Sequence, residues 1–164
     1  MQQGDFTKAA MVLRQAVVLR PDNADAWGML GSVLKQDGKP SEAADALRHS
    51  IALDPGQPGN HVNLASVLME VGDREGAASE RKTDAELSRA ASAKQKERFA
   101  LDSGNLLLQR GQFAEATAQF RNAVTAEPND AKAHAALADA LEHSGAKAEA
   151  EAERVKAKSL EKAP

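Results

Sequence analysis

Apolar residues along this chain recur at intervals of three and four, the spacing that places side chains on one face of an α-helix. Trp27, Leu30 and Leu34 follow this spacing, and Leu137 and Leu141 follow it near the other end of the chain. Polar side chains fill the remaining positions, and short turns rich in Gly, Pro, Asn and Asp separate the segments. The pattern predicts a series of amphipathic helices packed against one another.

Glycine divides this pattern at regular intervals. Gly4, Gly38 and Gly72 are 34 residues apart, as are Gly111 and Gly145, whereas 39 residues separate Gly72 from Gly111. We expect each glycine to adopt the left-handed conformation that ends one helix before the next begins. Prolines fall seventeen residues after three of these glycines and are expected to end the second helix of a pair: Pro21, Pro55 and Pro128.

Small side chains lie at equivalent places in successive segments. The pairs are Gly31 with Ala43, Ala65 with Ala77, Gly104 with Ala116 and Ala138 with Ala150. A larger side chain there would push apart the two helices of a hairpin, so these positions predict close helix–helix packing.

The residues Trp27, Leu30, Gly31 and Leu34, followed by Ala43, Leu47 and Pro55, resemble a tetratricopeptide repeat in identity and in spacing. The resemblance implies an all-α fold, a right-handed α-solenoid of helix-turn-helix repeats. It divides the chain into a second helix of a truncated repeat at 5–20, then repeats at 24–54, 58–90, 97–127 and 131–161, the last with a polar C-terminal capping helix.

The longer interval between Gly72 and Gly111 departs from the repeat and also lacks the expected proline. We interpret it as a lengthened helix from about Asp73 to Ala90, a turn near residues 88–92, and a new helix for which Ser92 and Gln95 form a capping box. The alternative is one uninterrupted helix through Arg110, which only Gly104 opposes.

The chain opens on the second helix of a repeat whose first helix is missing. Ala9, Leu13 and Ala16 would normally face that absent helix, and an uncapped end of a repeat array exposes apolar surface. We expect the chain to be a fragment of a longer protein. The alternative is that another chain covers this face, which includes self-association through the first helix.

Charge and composition narrow the function classes. The 21 basic and 24 acidic residues give a net charge of −3, too close to neutral for an electrostatic nucleic-acid binder. There is no cysteine for a disulfide, a thiol nucleophile or a thiolate metal site. No apolar stretch approaches the length of a membrane span, so we expect no membrane insertion.

Candidate catalytic groups are scarce. The four histidines show no metal-ligand spacing, and His61 and His134 take the place of Trp27 in their own repeats, which favours packing or partial exposure. The segment Asp37-Gly38-Lys39-Pro40 lacks the first glycine and the Ser or Thr of a phosphate loop. The sequence therefore predicts no catalytic residue, no metal and no cofactor.

The resemblance implies that function is recognition of a protein or peptide in a concave groove lined by the first helix of each pair. The groove positions it implies are Lys35, Gln36, Ser66, Met69, Glu70, Arg98, Leu101, Asn105, Leu108, Gln109, Asp139, Glu142 and His143. Asn105 and Gln109 offer paired donors and acceptors for a peptide backbone, and Met69 and Leu108 offer apolar contacts.

Chaperone-binding members of the family grip a terminal carboxylate with Lys and Asn on the first helix of a pair, but of these places only Asn105 fits, and its companion is Leu101. Those places hold Gly28 and Ser32 in one repeat and Val62 and Ser66 in the next. Two functions remain open. The first is a non-catalytic scaffold that binds a peptide or helical segment of a partner. The alternative is a substrate-recruiting arm of a larger enzyme, for example a glycosyltransferase or peptidase, whose catalytic part is outside this chain.

Overall fold

The computed structural model describes residues 3–162, and within them it contains eight α-helices joined by short turns. They are α1 Gln3–Leu19, α2 Ala24–Gln36, α3 Pro40–Leu53, α4 Pro58–Glu70, α5 Arg74–Gln109, α6 Phe113–Ala126, α7 Ala131–His143 and α8 Lys147–Glu161. The fold is all-α, as the sequence predicts. Among the described helices, none is both long enough and apolar enough to cross a membrane.

The chain forms two compact units, Met1–Arg89 and Ala90–Pro164. In the first unit α2 packs against α1, α3 and α4, and α3 packs against α4. In the second unit α7 packs against α6 and α8. Sequence neighbours are thus neighbours in space, as expected of stacked helix hairpins.

The core of the first unit is rich in alanine and leucine, and small residues set the distance between its helices. A Cβ atom on Gly31 would lie only 2.5 Å from Cγ of Leu47 and 3.1 Å from the backbone oxygen of Ala43. Leu47 itself is completely buried. The predicted requirement for a small residue at this place is confirmed, because the Leu47 side chain fills the space that a larger residue would need.

The core of the second unit is built around one aromatic ring. Phe120 is completely buried, and a Cβ atom on Gly104 would lie 2.6 Å from its Cε1 atom. Leu137 and Leu141 of α7 complete the same cluster. Gly104 therefore belongs in the middle of a helix here because it admits Phe120, not because it ends the helix.

Four of the five spaced glycines close a helix with positive φ: Gly38 (74°), Gly72 (87°), Gly111 (72°) and Gly145 (86°). The expectation for Gly4 is wrong, since Gly4 lies inside α1, which already includes Gln3. Within the described residues there is no earlier helix for Gly4 to end.

The predicted turn near residues 88–92 is also wrong. Helix α5 runs without a break from Arg74 to Gln109, so Ser92 lies in a helix interior and forms no capping box. No proline interrupts the segment, and Gly104 is accommodated by Phe120, so nothing local stops the helix. The alternative of one uninterrupted helix is the one that the structure shows.

Candidate partner-binding surface

The first helices of the first unit, α2 and α4, lie side by side and are joined by polar side chains. Lys35 Nζ donates a hydrogen bond to Ser66 Oγ at 2.7 Å, and Asn63 Nδ2 donates to Ser32 Oγ at 3.2 Å. Ser32 Oγ in turn donates to the carbonyl oxygen of Gly28 at 3.0 Å. We call the exposed side of these two helices the first-helix face. Its exposed residues include Gln36, Val62, Met69 and Glu70.

A shallow cavity of about 400 Å³ opens on this face, with Gly28, Met29 and Asn60 among its lining residues. Asn60 is almost fully buried, and its Nδ2 donates to Ser50 Oγ at 2.8 Å. A Cβ atom on Gly28 would lie 2.7 Å from Asn60 Oδ1, so the cavity floor depends on glycine at that position. Asn60 is a residue that the sequence analysis did not single out.

Beside these links, the face presents exposed side chains of mixed character. Gln36 and Glu70 are exposed at the ends of α2 and α4. Met69 is 42% exposed and Val62 is 49% exposed on the same helix. The predicted groove residues of this unit are therefore brought together on neighbouring helices, with apolar and polar groups within one surface.

The predicted groove residues of the second unit differ among themselves. On α5, Arg98, Asn105 and Gln109 are exposed. Leu101 and Leu108 are partly buried instead and pack against the cluster around Phe120. Leu108 thus contributes to the core and offers less surface to a partner than its place in the sequence suggests.

The predicted residues on α7 make contacts within the unit. Glu142 forms an ion pair with Arg154 of α8, whose Nη2 also lies 3.8 Å from Asp139 Oδ1. The ring of His143 lies 5.0 Å from that of Phe113 on α6, and its Nδ1 lies 3.1 Å from the carbonyl oxygen of Asp139. The structure places these three side chains among neighbours from α6 and α8.

His61 and His134 are packed, as the sequence favoured, with exposures of 4% and 6%. Nδ1 of His61 lies 2.6 Å from Glu80 Oε2 and that of His134 lies 2.5 Å from Glu153 Oε2. Each Nε2 faces the carbonyl oxygen of a proline, as Trp27 Nε1 does at Pro21. The histidines therefore substitute for tryptophan as ring donors, with a glutamate as an additional partner.

The most unusual titratable group is Glu97, which the sequence analysis missed. Its residue is only 8% exposed, and its Oε1 atom has no hydrogen-bond partner among the described residues. A hydrogen bond with the Asp130 carboxyl, together with burial, raises the pKa of Glu97 to about 7. The same hydrogen bond lowers the pKa of Asp130.

Nothing in the sequence distinguishes Glu97. The predicted turn near residues 88–92 would place it in the first turn of a new helix, where acidic residues are common. In the structure Glu97 lies in the interior of α5 and is buried. Over residues 3–162, no group of three or more His, Asp or Glu side chains is arranged to hold a metal ion.

Comparison with known proteins places the chain. No curated protein matches it at a significant level. Two solved structures of MamA each share 20% identity with it, cover 96% of this chain and 84% or 90% of their own, and superpose with TM-scores of 0.50 and 0.51. This likeness shows the fold.

Two family models cover the sequence itself. Residues 101–158 match the tetratricopeptide repeat, and residues 1–101, more than half of the chain, match the cytochrome c-type biogenesis protein H TPR domain. The chain therefore belongs to the tetratricopeptide repeat family, and specifically to that of the cytochrome c-type biogenesis protein H TPR domain.

Proposed function

We propose that this chain is a non-catalytic interaction scaffold that holds a peptide or helical segment of a partner protein on its first-helix face. Membership of the tetratricopeptide repeat family supports a protein or peptide partner. The arrangement of α2 and α4 supports the location, because a peptide needs a surface that offers hydrogen-bonding groups and apolar contacts together.

One observation carries the proposal. The hydrogen bonds from Lys35 to Ser66 and from Asn63 to Ser32 hold neighbouring first helices in register. Val62 and Met69 stay exposed on the same surface. Side chains that are already ordered lose less conformational entropy when a ligand binds, so this surface is preorganised for binding.

The test compares charge insertions on the two sides of the first unit. Val62→Arg with Met69→Arg changes the first-helix face, whereas Ala52→Arg with Leu53→Arg adds the same charge on exposed positions of α3. Both variants are first shown to be folded by circular dichroism. Partners captured from native lysate by the wild type are expected to be lost with the α4 variant and kept with the α3 variant.

Loss of the same partners from both variants, or from the α3 variant alone, would contradict the proposal. In that case binding would depend on the added positive charge in general, or on the second helices of the pairs. Capture that neither variant alters would likewise exclude the first-helix face of this unit.

The family match suggests a setting for the partner. The matched model is named for cytochrome c-type biogenesis, so proteins of cytochrome c assembly are the first class to examine. We expect deletion of the gene to lower covalently bound haem in c-type cytochromes, measured by haem staining of denatured proteins. Restoration by the wild type but not by Val62→Arg with Met69→Arg would link that phenotype to the first-helix face.

A further inference from the structure

A surface cavity of the second unit lies at the place where the other helix pairs hold a ring. In those pairs the ring residue stands eleven residues before the glycine that ends its helix: Trp27 before Gly38, His61 before Gly72 and His134 before Gly145. The residue eleven positions before Gly111 is Ala100. A cavity of about 430 Å³ is lined by Ala100, whose methyl group leaves open the space that a ring would fill.

One polar partner of the ring has a counterpart beside this cavity. A glutamate contacts Nδ1 of the histidine ring in two pairs: Glu80 with His61 and Glu153 with His134. Each glutamate comes eight residues after the glycine of its pair, and Gln119 comes eight residues after Gly111. Gln119 lines the cavity. Its carboxamide accepts a hydrogen bond without carrying a charge, so it suits a neutral N–H group.

A second contact of the ring also has a counterpart. The ring of Trp27 stacks on that of His49, with their centroids 4.6 Å apart. His49 comes eleven residues after Gly38, and Asn122 comes eleven residues after Gly111. Asn122 lines the cavity with a second carboxamide. The cavity therefore retains polar side chains at two places that contact a ring in other pairs.

An exposed aromatic ring forms another part of the wall. Phe99 is 73% exposed, whereas the residues in its place in the other pairs are buried: Ala26, Asn60 and Ala133. Aromatic pairs stabilise each other beyond the area they bury, so Phe99 favours a second ring in the cavity. The charged residue of the wall is Lys96, and an ammonium group favours the face of a ring over a cationic ligand.

We propose that this cavity binds the indole ring of a tryptophan presented by a partner protein. Trp27 shows that an indole is accommodated at this place of the repeat. The bound ring fills the space beside Ala100, packs against Phe99 and donates its Nε1–H to the side-chain oxygen of Gln119. An indole has one polar donor and no acceptor, which matches a single amide oxygen.

The proposal rests on the proposed function in one respect, since a partner protein supplies the tryptophan. Its test uses small probes and does not require that partner. Backbone amide shifts of the full chain are followed by nitrogen-15 NMR during titration with Nα-acetyl-tryptophan amide. Nα-acetyl-phenylalanine amide and Nα-acetyl-leucine amide are the matched probes.

The tryptophan probe is expected to shift the amides of residues 96–100 and 119–126 until the site is saturated. The dissociation constant of the leucine probe is expected to be about five- to tenfold higher, because an aliphatic side chain cannot stack on Phe99. Gln119→Met keeps the length of the side chain but removes the acceptor. This variant should weaken the tryptophan probe about fivefold and leave the phenylalanine probe unchanged.

A tryptophan built into the chain tests the position of the ring. Ala100→Trp places an indole in the cavity and is expected to abolish the shifts that the tryptophan probe induces. Ala114→Trp adds the same residue at an exposed position of α6 and should preserve them. Both variants are first shown to be folded by circular dichroism, and Gln119→Met carries the test if Ala100→Trp does not fold.

Equal dissociation constants for the tryptophan and leucine probes would overturn the proposal. So would probe binding that Gln119→Met or a folded Ala100→Trp leaves intact. Shifts of the same amides on raising the protein concentration without a probe would also overturn it, because they would assign the cavity to a second copy. Failure of the capture experiment on the first-helix face would leave these titrations unchanged, so the two proposals fail separately.

Discussion

Glu97 is the residue whose contribution to stability depends most clearly on pH. Its pKa is raised from the usual 4.5 to about 7. Between these two pH values the Glu97 carboxyl is protonated in the folded chain and ionised in the unfolded chain. The free energy of unfolding should therefore fall as the pH rises from about 4.5 to 7. The lowered pKa of Asp130 acts in the opposite sense only at more acidic pH, near and below 3.8.

We expect Glu97→Gln to remove this loss, because the amide cannot ionise and still donates to Asp130. Relative to wild type, the variant should gain about 1–2 kcal/mol at pH 8 and little at pH 4.5. Urea unfolding at the two pH values measures this difference, with the exposed Glu115→Gln as the control. A wild-type stability that is flat between pH 4.5 and 7 would show that Glu97 titrates normally.

Gly104 tests the packing around Phe120. A Cβ atom there would lie 2.6 Å from the ring, so Gly104→Ala should destabilise the chain by about 1–3 kcal/mol through overpacking. Gly59→Ala is the matched control, since no atom lies within 4 Å of a Cβ atom at that position. If the denaturant midpoints of the two variants shifted equally, backbone entropy and not contact with Phe120 would account for both changes in stability.

His61 and Glu80 occupy the places that tryptophan and alanine occupy in the first helix pair. Substitutions at these two positions test whether the two pairs of residues are interchangeable. In the first helix pair the corresponding residues are Trp27 and Ala46, so His61→Trp alone should crowd Glu80 and remove its partner. Adding Glu80→Ala should recover stability, with a coupling energy of about 0.5–3 kcal/mol between the two sites. If the two substitutions changed the free energy of urea unfolding in a strictly additive way, the two pairs of residues would not be interchangeable.

At the scale of the residue, the sequence predicted packing positions correctly, but it did not predict which groove residues contact neighbouring helices. Gly31 and the two packed histidines follow from the repeat pattern, because a core position tolerates few shapes. Leu108 and Glu142 occupy groove positions of the same pattern, yet one packs into the core and the other pairs with Arg154. Contacts of this kind depend on the side chains of neighbouring helices. The hydrophobic periodicity of one helix does not report them.

Among the elements, α5 is where sequence and structure differ most. In the other three pairs a ring N–H group of the first helix faces a proline carbonyl six residues earlier: Trp27 at Pro21, His61 at Pro55 and His134 at Pro128. The corresponding position on α5 is Ala100, and six residues earlier Lys94 is helical. The absent ring and the absent proline together were the signal for a continuous helix.

Hydrogen exchange tests this continuity directly. Amides of residues 88–92 are expected to exchange slowly, at rates similar to those of residues 82–86, because all lie within one helix. Fast exchange confined to residues 88–92, with protection resuming beyond them, would restore the turn that the sequence predicted. The turn at Gly111 provides the fast-exchanging control.

At the scale of the whole molecule, we propose that this tetratricopeptide repeat chain recognises a partner protein through its first helices. The fold class was predictable because four of the five spaced glycines, together with the small residues at equivalent places, mark helix pairs. Partner identity was not, since exposed side chains such as Gln36 and Met69 are free of packing constraints that would tie their identity to the fold.

Site-specific photocrosslinking is the most direct test of this claim. Benzoylphenylalanine replaces Met69 on the first-helix face or, as a control of similar exposure, Leu53 on α3. We expect Met69→benzoylphenylalanine to crosslink a partner protein in cells and Leu53→benzoylphenylalanine not to do so. Crosslinks from Leu53 alone, or equal crosslinking from both positions, would contradict recognition by the first helices.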